Sequence, residues 1–150
     1  MMVLFSATTG VPQSVLLDNG YLTNLRTAAA GAVAARHLSR PESRHIGILG
    51  AGVQARLQLE AIRLVRDVDS VKVWSRDPTR CEAFSQNMQA ALGIEIQPVR
   101  QPEDARRASD IIVTAAPATK PLIQLTRMLH EFAEFSVNLA KQFGRSSAGP

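Results

Sequence analysis

Apolar positions along this chain follow two periods, and their alternation predicts the architecture. His45–Leu49, Val71–Trp74, Ile94–Val99 and Asp110–Ala115 are short runs rich in β-branched residues, as expected of buried strands. Between the first two, Gln54–Arg66 sets Ala55, Leu59, Ile62 and Val65 on one face at helical spacing. Asp77-Pro78 offers an N-cap followed by proline at the first helical position, and Gly93 offers a stop, so a helix is expected up to Leu92. Pro102–Ala108 reads as a further short helix. Strands alternating with helices at this spacing predict an α/β unit with a parallel sheet covered on both faces.

The flanks have a different pattern. Residues 3–6 and 14–17 read as the strands of a hairpin, with turn material at Thr8-Thr9-Gly10-Val11-Pro12 and at Asp18-Asn19-Gly20. An isolated hairpin is marginal, so it is expected to be the edge of something larger, and the chain is expected to begin part-way through a domain. Thr23–Leu38 is alanine-rich and therefore helical, and Pro41 in the 39–43 loop blocks its continuation. Gln124–Phe143 carries Leu125, Met128, Leu129, Phe132, Leu139 and Phe143 at near-helical spacing and predicts one amphipathic helix, with Arg145–Pro150 fraying beyond it. The expected division is a partial substrate or dimerisation domain over 1–40, a nucleotide-binding core over 41–123 and a helical tail over 124–150.

Composition narrows the function classes. An apolar content of 45% with 20% charged residues is ordinary for a soluble chain of 150 residues, large enough for a real core. The net charge of +4 comes from scattered arginines, with no basic run interleaved with aromatics, which argues against a nucleic-acid surface. A mild positive excess suits a polyanionic cofactor. The single cysteine, Cys81, excludes an internal disulfide and reads as a semi-buried helix residue. The chain lacks an apolar run of membrane-spanning length and a signal-peptide pattern, so no membrane partner is expected and the default compartment is the cytoplasm. His37, His45 and His130 show no metal-ligand spacing, and the serines show no nucleophile–base arrangement.

The candidate chemistry lies at Gly50-Ala51-Gly52-Val53-Gln54-Ala55, directly after a strand and opening a helix. Gly50 permits the tight turn, Gly52 lets the backbone approach a pyrophosphate, and the small Ala55 allows close helix–strand packing. The helix start then presents free N–H groups to phosphates. Strand, turn and helix together predict a Rossmann-type dinucleotide site. At the end of the second strand, where an acid would bind the ribose 2′-hydroxyl of NAD, the sequence has Trp74-Ser75-Arg76. A hydroxyl beside a guanidinium favours the 2′-phosphate of NADP; NAD stays possible, as does an Arg76 that is simply solvated. Asp77, the nearest acid, is needed as a helix cap. Thr114-Ala115-Ala116-Pro117 is expected to pass beside the cofactor. Arg26-Thr27 puts a cation near a helix start, where the dipole disfavours it; a bound anion, either substrate carboxylate or cofactor phosphate, is one reason to find it there.

Taken together, Asn19-Gly20-Tyr21-Leu22-Thr23-x-x-Arg26-Thr27-Ala28-Ala29, Leu38-x-Arg40-Pro41 and Ile48–Ala55 resemble the ornithine cyclodeaminase/mu-crystallin family. Ser109–Thr114 and Pro121-Leu122-Ile123 extend the resemblance, which covers about residues 3–123 and is closest in flavour to the ectoine-utilisation branch. The resemblance implies a homodimeric NAD(P)-dependent enzyme that moves a hydride between nicotinamide and an amino- or imino-bearing carbon. Ornithine cyclisation with loss of ammonia, ketimine reduction and amino-acid dehydrogenation are the reactions it implies. It assigns Arg26 to substrate or cofactor, Thr27, Gly52, Val53 and Gln54 to the pyrophosphate, Ser75 and Arg76 to the adenosine ribose, and Thr114 to the loop beside the cofactor.

The departures are equally specific. Members of the family are roughly twice this length, with a substrate-binding arginine and lysine expected upstream of Met1. An aspartate acting as acid/base is expected in a glycine-rich stretch beyond Ile123, yet Gln124–Pro150 contains no aspartate and shows no further resemblance. A truncated or frame-shifted member is therefore expected, impaired in turnover because the chemistry needs that group. A non-catalytic NADP-binding or scaffold protein, or a remnant without function, are the alternatives.

Overall fold

The computed structural model describes residues 1–123 and the backbone of a strand at Phe135–Asn138. Its centre is a five-stranded parallel sheet of β3 (His45–Leu49), β4 (Ser70–Trp74), β5 (Glu95–Pro98), β6 (Ile111–Thr114) and β7 (Phe135–Asn138), in the order β5-β4-β3-β6-β7. The chain steps outward from β3 to β5 through α2 (Val53–Ile62) and α3 (Pro78–Leu92), then returns through α4 (Pro102–Arg106) to place β6 on the other side of β3. That reversal makes the carboxyl ends of β3 and β6 a topological switch point, the place where open α/β sheets bind ligands. The expected Rossmann-type α/β fold is what the chain forms.

Register explains the core. Ile46 pairs with Val71 and Ile111, and Ile48 with Val73 and Val113, so these β-branched residues form rows on one face of the sheet. Ala55, Leu59, Ile62, Cys81 and Met88 from α2 and α3 join the same buried cluster. Burial pushes the Cys81 thiol above its ordinary pKa, and its Sγ donates to the Val73 carbonyl at 3.2 Å.

β1 (Met2–Phe5) and β2 (Pro12–Leu16) form the expected antiparallel hairpin, paired from Met2↔Leu16 to Phe5↔Pro12 and shifted slightly from the predicted 3–6 and 14–17. α1 (Tyr21–Leu38) starts two residues before the predicted Thr23, because Asp18 caps it from outside. The Asp18 carboxylate accepts from the amides of Leu22 (2.8 Å) and Gly20 (3.3 Å). Thr27, Ala28, Gly31, Ala32 and Ala35 are the buried stripe of α1. Against it the wholly buried Gln58 of α2 donates to the Thr27 carbonyl at 2.9 Å. Arg66 closes the other end, donating to the carbonyls of Arg36 (2.8 Å) and Ser39 (3.1 Å), carbonyls at the end of the helix.

Two helices are shorter than their sequence periods. α2 ends at Ile62 rather than Arg66, and Leu64 and Val65 donate instead to carbonyls three residues back, at Ala61 and Ile62. This tighter turn still packs Val65 against the core, so the predicted apolar face is kept while the α-helix is not. α4 stops at Arg106, and Ala108 takes a left-handed φ of 60°. The larger correction is β7. A strand parallel to β6 stands inside the segment predicted as one amphipathic helix over 124–143. Phe135-Ser136-Val137-Asn138 alternates apolar and polar at a period of two, and pairing it covers the edge that β6 would otherwise expose. The remainder of that predicted helix, His130 and the expected fraying at 145–150 lie outside the described residues.

Asp110 joins the loop after α1 to the sheet. Its carboxylate accepts from the amides of Arg44 (2.9 Å) and His45 (3.0 Å) and from the Arg40 guanidinium (3.0 Å). Partial burial pushes its pKa up, but those donors and the charge of His45 outweigh burial and hold it below its ordinary 3.8. A depressed folded pKa means the stabilisation is complete above 3.8 and is lost as pH falls through the lower folded value. Asp110→Ala is expected to cost about 2 kcal/mol at neutral pH, since two amides lose a charged acceptor. Urea unfolding from pH 7 to pH 2 should show the wild-type and variant midpoints converging at the acid end.

Candidate dinucleotide site

β3 ends at Leu49, and the turn that follows is pinned on both sides. The Gly50 amide donates to the Trp74 carbonyl at 2.7 Å, and the Ala115 amide donates to the Leu49 carbonyl at 2.8 Å. Gly50 has φ 126°, open to glycine and strained for other residues. An added Cβ there would also meet the Ala115 carbonyl oxygen at 2.7 Å. Gly52 is the opposite case. Its φ of −112° and ψ of −172° suit any residue, and no protein atom lies within 4 Å of where a Cβ would stand. Neither backbone conformation nor packing within the protein demands glycine there. α2 then starts at Val53 with no side-chain cap and no acid in its first turn, so its leading amides have no side-chain acceptor. Ala55 is fully buried, as close helix–strand packing requires.

The turn forms one wall of a cleft of about 350 Å³ at the carboxyl ends of the strands. Gly50, Ala51 and Gly52 line it from β3, Ser75, Arg76, Asp77 and Arg80 from the β4–α3 connection, and Ala115, Ala116 and Pro117 from the exit of β6. The Arg76 guanidinium reaches across to the Pro117 carbonyl at 3.2 Å, joining the two sides. Asp77 is the predicted N-cap of α3, its Oδ1 accepting from the amides of Thr79 (3.0 Å) and Arg80 (3.3 Å). Ser75 Oγ donates to the Asp77 carbonyl at 2.7 Å and accepts from its amide at 3.2 Å, which fixes the start of the turn.

Of the residues singled out from sequence, the structure brings Gly50, Gly52, Ser75 and Arg76 together in this cleft. The others lie outside its lining. Val53 is exposed at the head of α2, and Gln54 turns toward α1, donating to Asn24 Oδ1 at 2.7 Å. Arg26 is exposed on α1 and its neighbour Thr27 is buried against α2. Thr114 ends β6, in register with Leu49 on one side and Asn138 on the other. Arg80 is the lining residue that the sequence reading passed over. Its signal was a basic residue in the first turn of a helix that has no acid there.

The sequence profile of the ornithine cyclodeaminase/mu-crystallin family matches residues 1–138. The chain belongs to that family. The match runs beyond Ile123 and takes in β7, so the family resemblance extends further than the 3–123 motifs indicate. An uncharacterized cyclodeaminase of Sinorhizobium fredii is 47% identical over 123 residues, covering 82% of this chain and 37% of that protein. Among solved structures, the Δ1-pyrroline-2-carboxylate reductase of Thermococcus litoralis, in complex with NADH and L-proline, superposes with a TM-score of 0.72 at 37% identity. That match covers 81% of this chain and 37% of the reductase. An archaeal alanine dehydrogenase dimer with bound NAD gives 0.73 at 37% identity, covering 83% and 38%. The chain thus spans little more than a third of the length of these relatives.

Proposed function

We propose that this chain is the dinucleotide-binding portion of an NAD(P)-dependent enzyme acting on an amino or imino acid, with NADP as the preferred cofactor. The observation that carries the reading is Gly52, bare toward the cleft although nothing in the protein requires a glycine there. NADH in the Thermococcus reductase and NAD in the archaeal dehydrogenase support the same cofactor class. When bound, the nicotinamide supplies or accepts a hydride at the carbon bearing nitrogen. The chain's own contribution is binding: the turn and the uncapped start of α2 receive the pyrophosphate, and Ser75 and Arg76 face the adenosine ribose. Thr27, Val53, Gln54 and Thr114 support the phosphate turn from around the cleft, and Arg26 meets the substrate carboxylate or a cofactor phosphate. A cytoplasmic homodimer, as the family resemblance implies, is part of this reading.

A second reading, binding without turnover, is favoured by one detail. Asp77, the single carboxylate lining the cleft among the described residues, is occupied by the α3 amides and is not placed to move a proton at the reacting carbon. The two readings separate in one experiment. Trp74 is the only tryptophan of the chain and immediately precedes Ser75, so its fluorescence reports titrations with NADPH and NADH. Gly52→Val should loosen both by more than about 100-fold while moving the unfolding free energy by less than about 0.5 kcal/mol. Ammonia release from ornithine would establish turnover; failure of either dinucleotide to bind at millimolar concentration would overturn both readings.

A further inference from the structure

The wall of the cleft formed by the β4–α3 connection carries more positive charge than its local structure uses. Arg76 is held by the Pro117 carbonyl. Arg80, one turn further along, also lines the cleft, and among the described residues its guanidinium makes no hydrogen bond or ion pair. It stands in the first turn of α3, where the helix dipole disfavours a cation, and that turn contains no acid to offset it. Asp77, the nearest carboxylate, is turned into the helix start and engaged by the amides of Thr79 and Arg80. Two guanidiniums and a serine hydroxyl thus line one wall, and the one carboxylate beside them among the described residues, Asp77, is engaged by the α3 amides. The glycine turn on the opposite wall is a separate anion site with its own uncapped helix. A ligand that satisfies both walls has two separated anionic centres.

We infer that Arg80 is a specificity-determining residue that, with Arg76, clamps the 2′-phosphate of a phosphorylated dinucleotide. This rests on the NADP reading above and extends it to a residue with a separate job. Arg76, anchored to the β6 exit, presents a fixed donor edge. Arg80, without such an anchor, swings onto the dianion from the α3 side. A guanidinium gains charge-assisted hydrogen bonds from a phosphate and little from a ribose hydroxyl, so the contribution falls on one cofactor only.

The test is equilibrium binding to the full chain, read by Trp74 fluorescence, for NADPH, NADH, adenosine 2′,5′-bisphosphate and adenosine 5′-monophosphate. Arg80→Ala should loosen NADPH and the bisphosphate by about tenfold and leave NADH and the monophosphate within about twofold. Arg80→Lys, which keeps the charge but not the fork, should recover part of the loss. Equal loosening of NADPH and NADH would overturn the inference by placing Arg80 on the adenine or pyrophosphate, and no loosening of either would overturn it outright. If the wild-type chain shows no preference for NADPH, the NADP reading fails and the clamp with it. If that preference is present and survives Arg80→Ala, the clamp alone fails.

Discussion

Gly50→Ala is expected to abolish dinucleotide binding and to destabilise the fold in the same step. Two independent penalties meet at this position. A backbone at φ 126° lies outside the regions open to L side chains, which costs about 1–3 kcal/mol. The new methyl would also sit 2.7 Å from the Ala115 carbonyl oxygen and 2.8 Å from its carbon, which are backbone atoms with no rotamer to change. Relief requires the β3 turn and the β6 exit to separate, and the Ala115 amide is hydrogen-bonded to the Leu49 carbonyl at that point. A total of about 3 kcal/mol in urea unfolding is the expected cost. The cleft lies between those same two segments, so binding should fall by more than about 100-fold even under conditions where the variant is folded. Gly52→Val provides the control, because it should lose binding and keep stability. A Gly50→Ala chain that binds NADPH normally would show that the turn is not the phosphate site.

How much of this was legible in the sequence depends on which forces decide each part. The β-branched runs predicted β3 to β6 and the 3.6-residue stripe predicted α2, because burial on the sheet faces dominates there, while the Asp77-Pro78 cap and the Gly93 stop marked α3. The glycine turn was legible because its φ and its open approach are each demanded by a residue type. Helix ends were less so. Asp18 caps α1 from two residues outside it, and α2 gives way to tighter turns at Ile62 while Val65 still packs, so the apolar period outlasts the helix. β7 was missed because Leu125, Met128, Leu129 and Phe132 set a helical period that hides a four-residue alternation. Only the unpaired edge of β6 makes that alternation decisive, and an edge is a property of the sheet. The same holds for Gln54, whose place in the motif points at a phosphate while its amide is taken by Asn24 on α1. Arg80 became visible once Asp77 was seen to be occupied.

Gly47→Ala should be the most damaging small change away from the cleft. Gly47 lies in β3, in the middle of the sheet, in register with Lys72 and Ile112. Its missing side chain faces α4, where an added Cβ would collide with the Ala105 carbonyl oxygen and stand 3.1 Å from Ser109 Oγ. Neither side can yield cheaply. β3 is hydrogen-bonded between two strands, and the Ala105 carbonyl is held by Ser109 Oγ at 2.8 Å. α4 would have to lift from the sheet, breaking that bond and pulling on the Asp110 amide, which donates to the His45 carbonyl at 2.8 Å. Overpacking of this kind costs about 3 kcal/mol when the obstructing atom is backbone. The urea midpoint should fall with the denaturant slope unchanged, since the unfolded surface is the same. Binding by the folded fraction should stay within about threefold of wild type, because the glycine turn begins three residues further on and keeps its anchors to Trp74 and Ala115. Destabilisation under about 0.5 kcal/mol would mean that α4 does not seat on β3 through this glycine. A large loss of binding in the folded fraction would instead mean that α4 and the cleft move together.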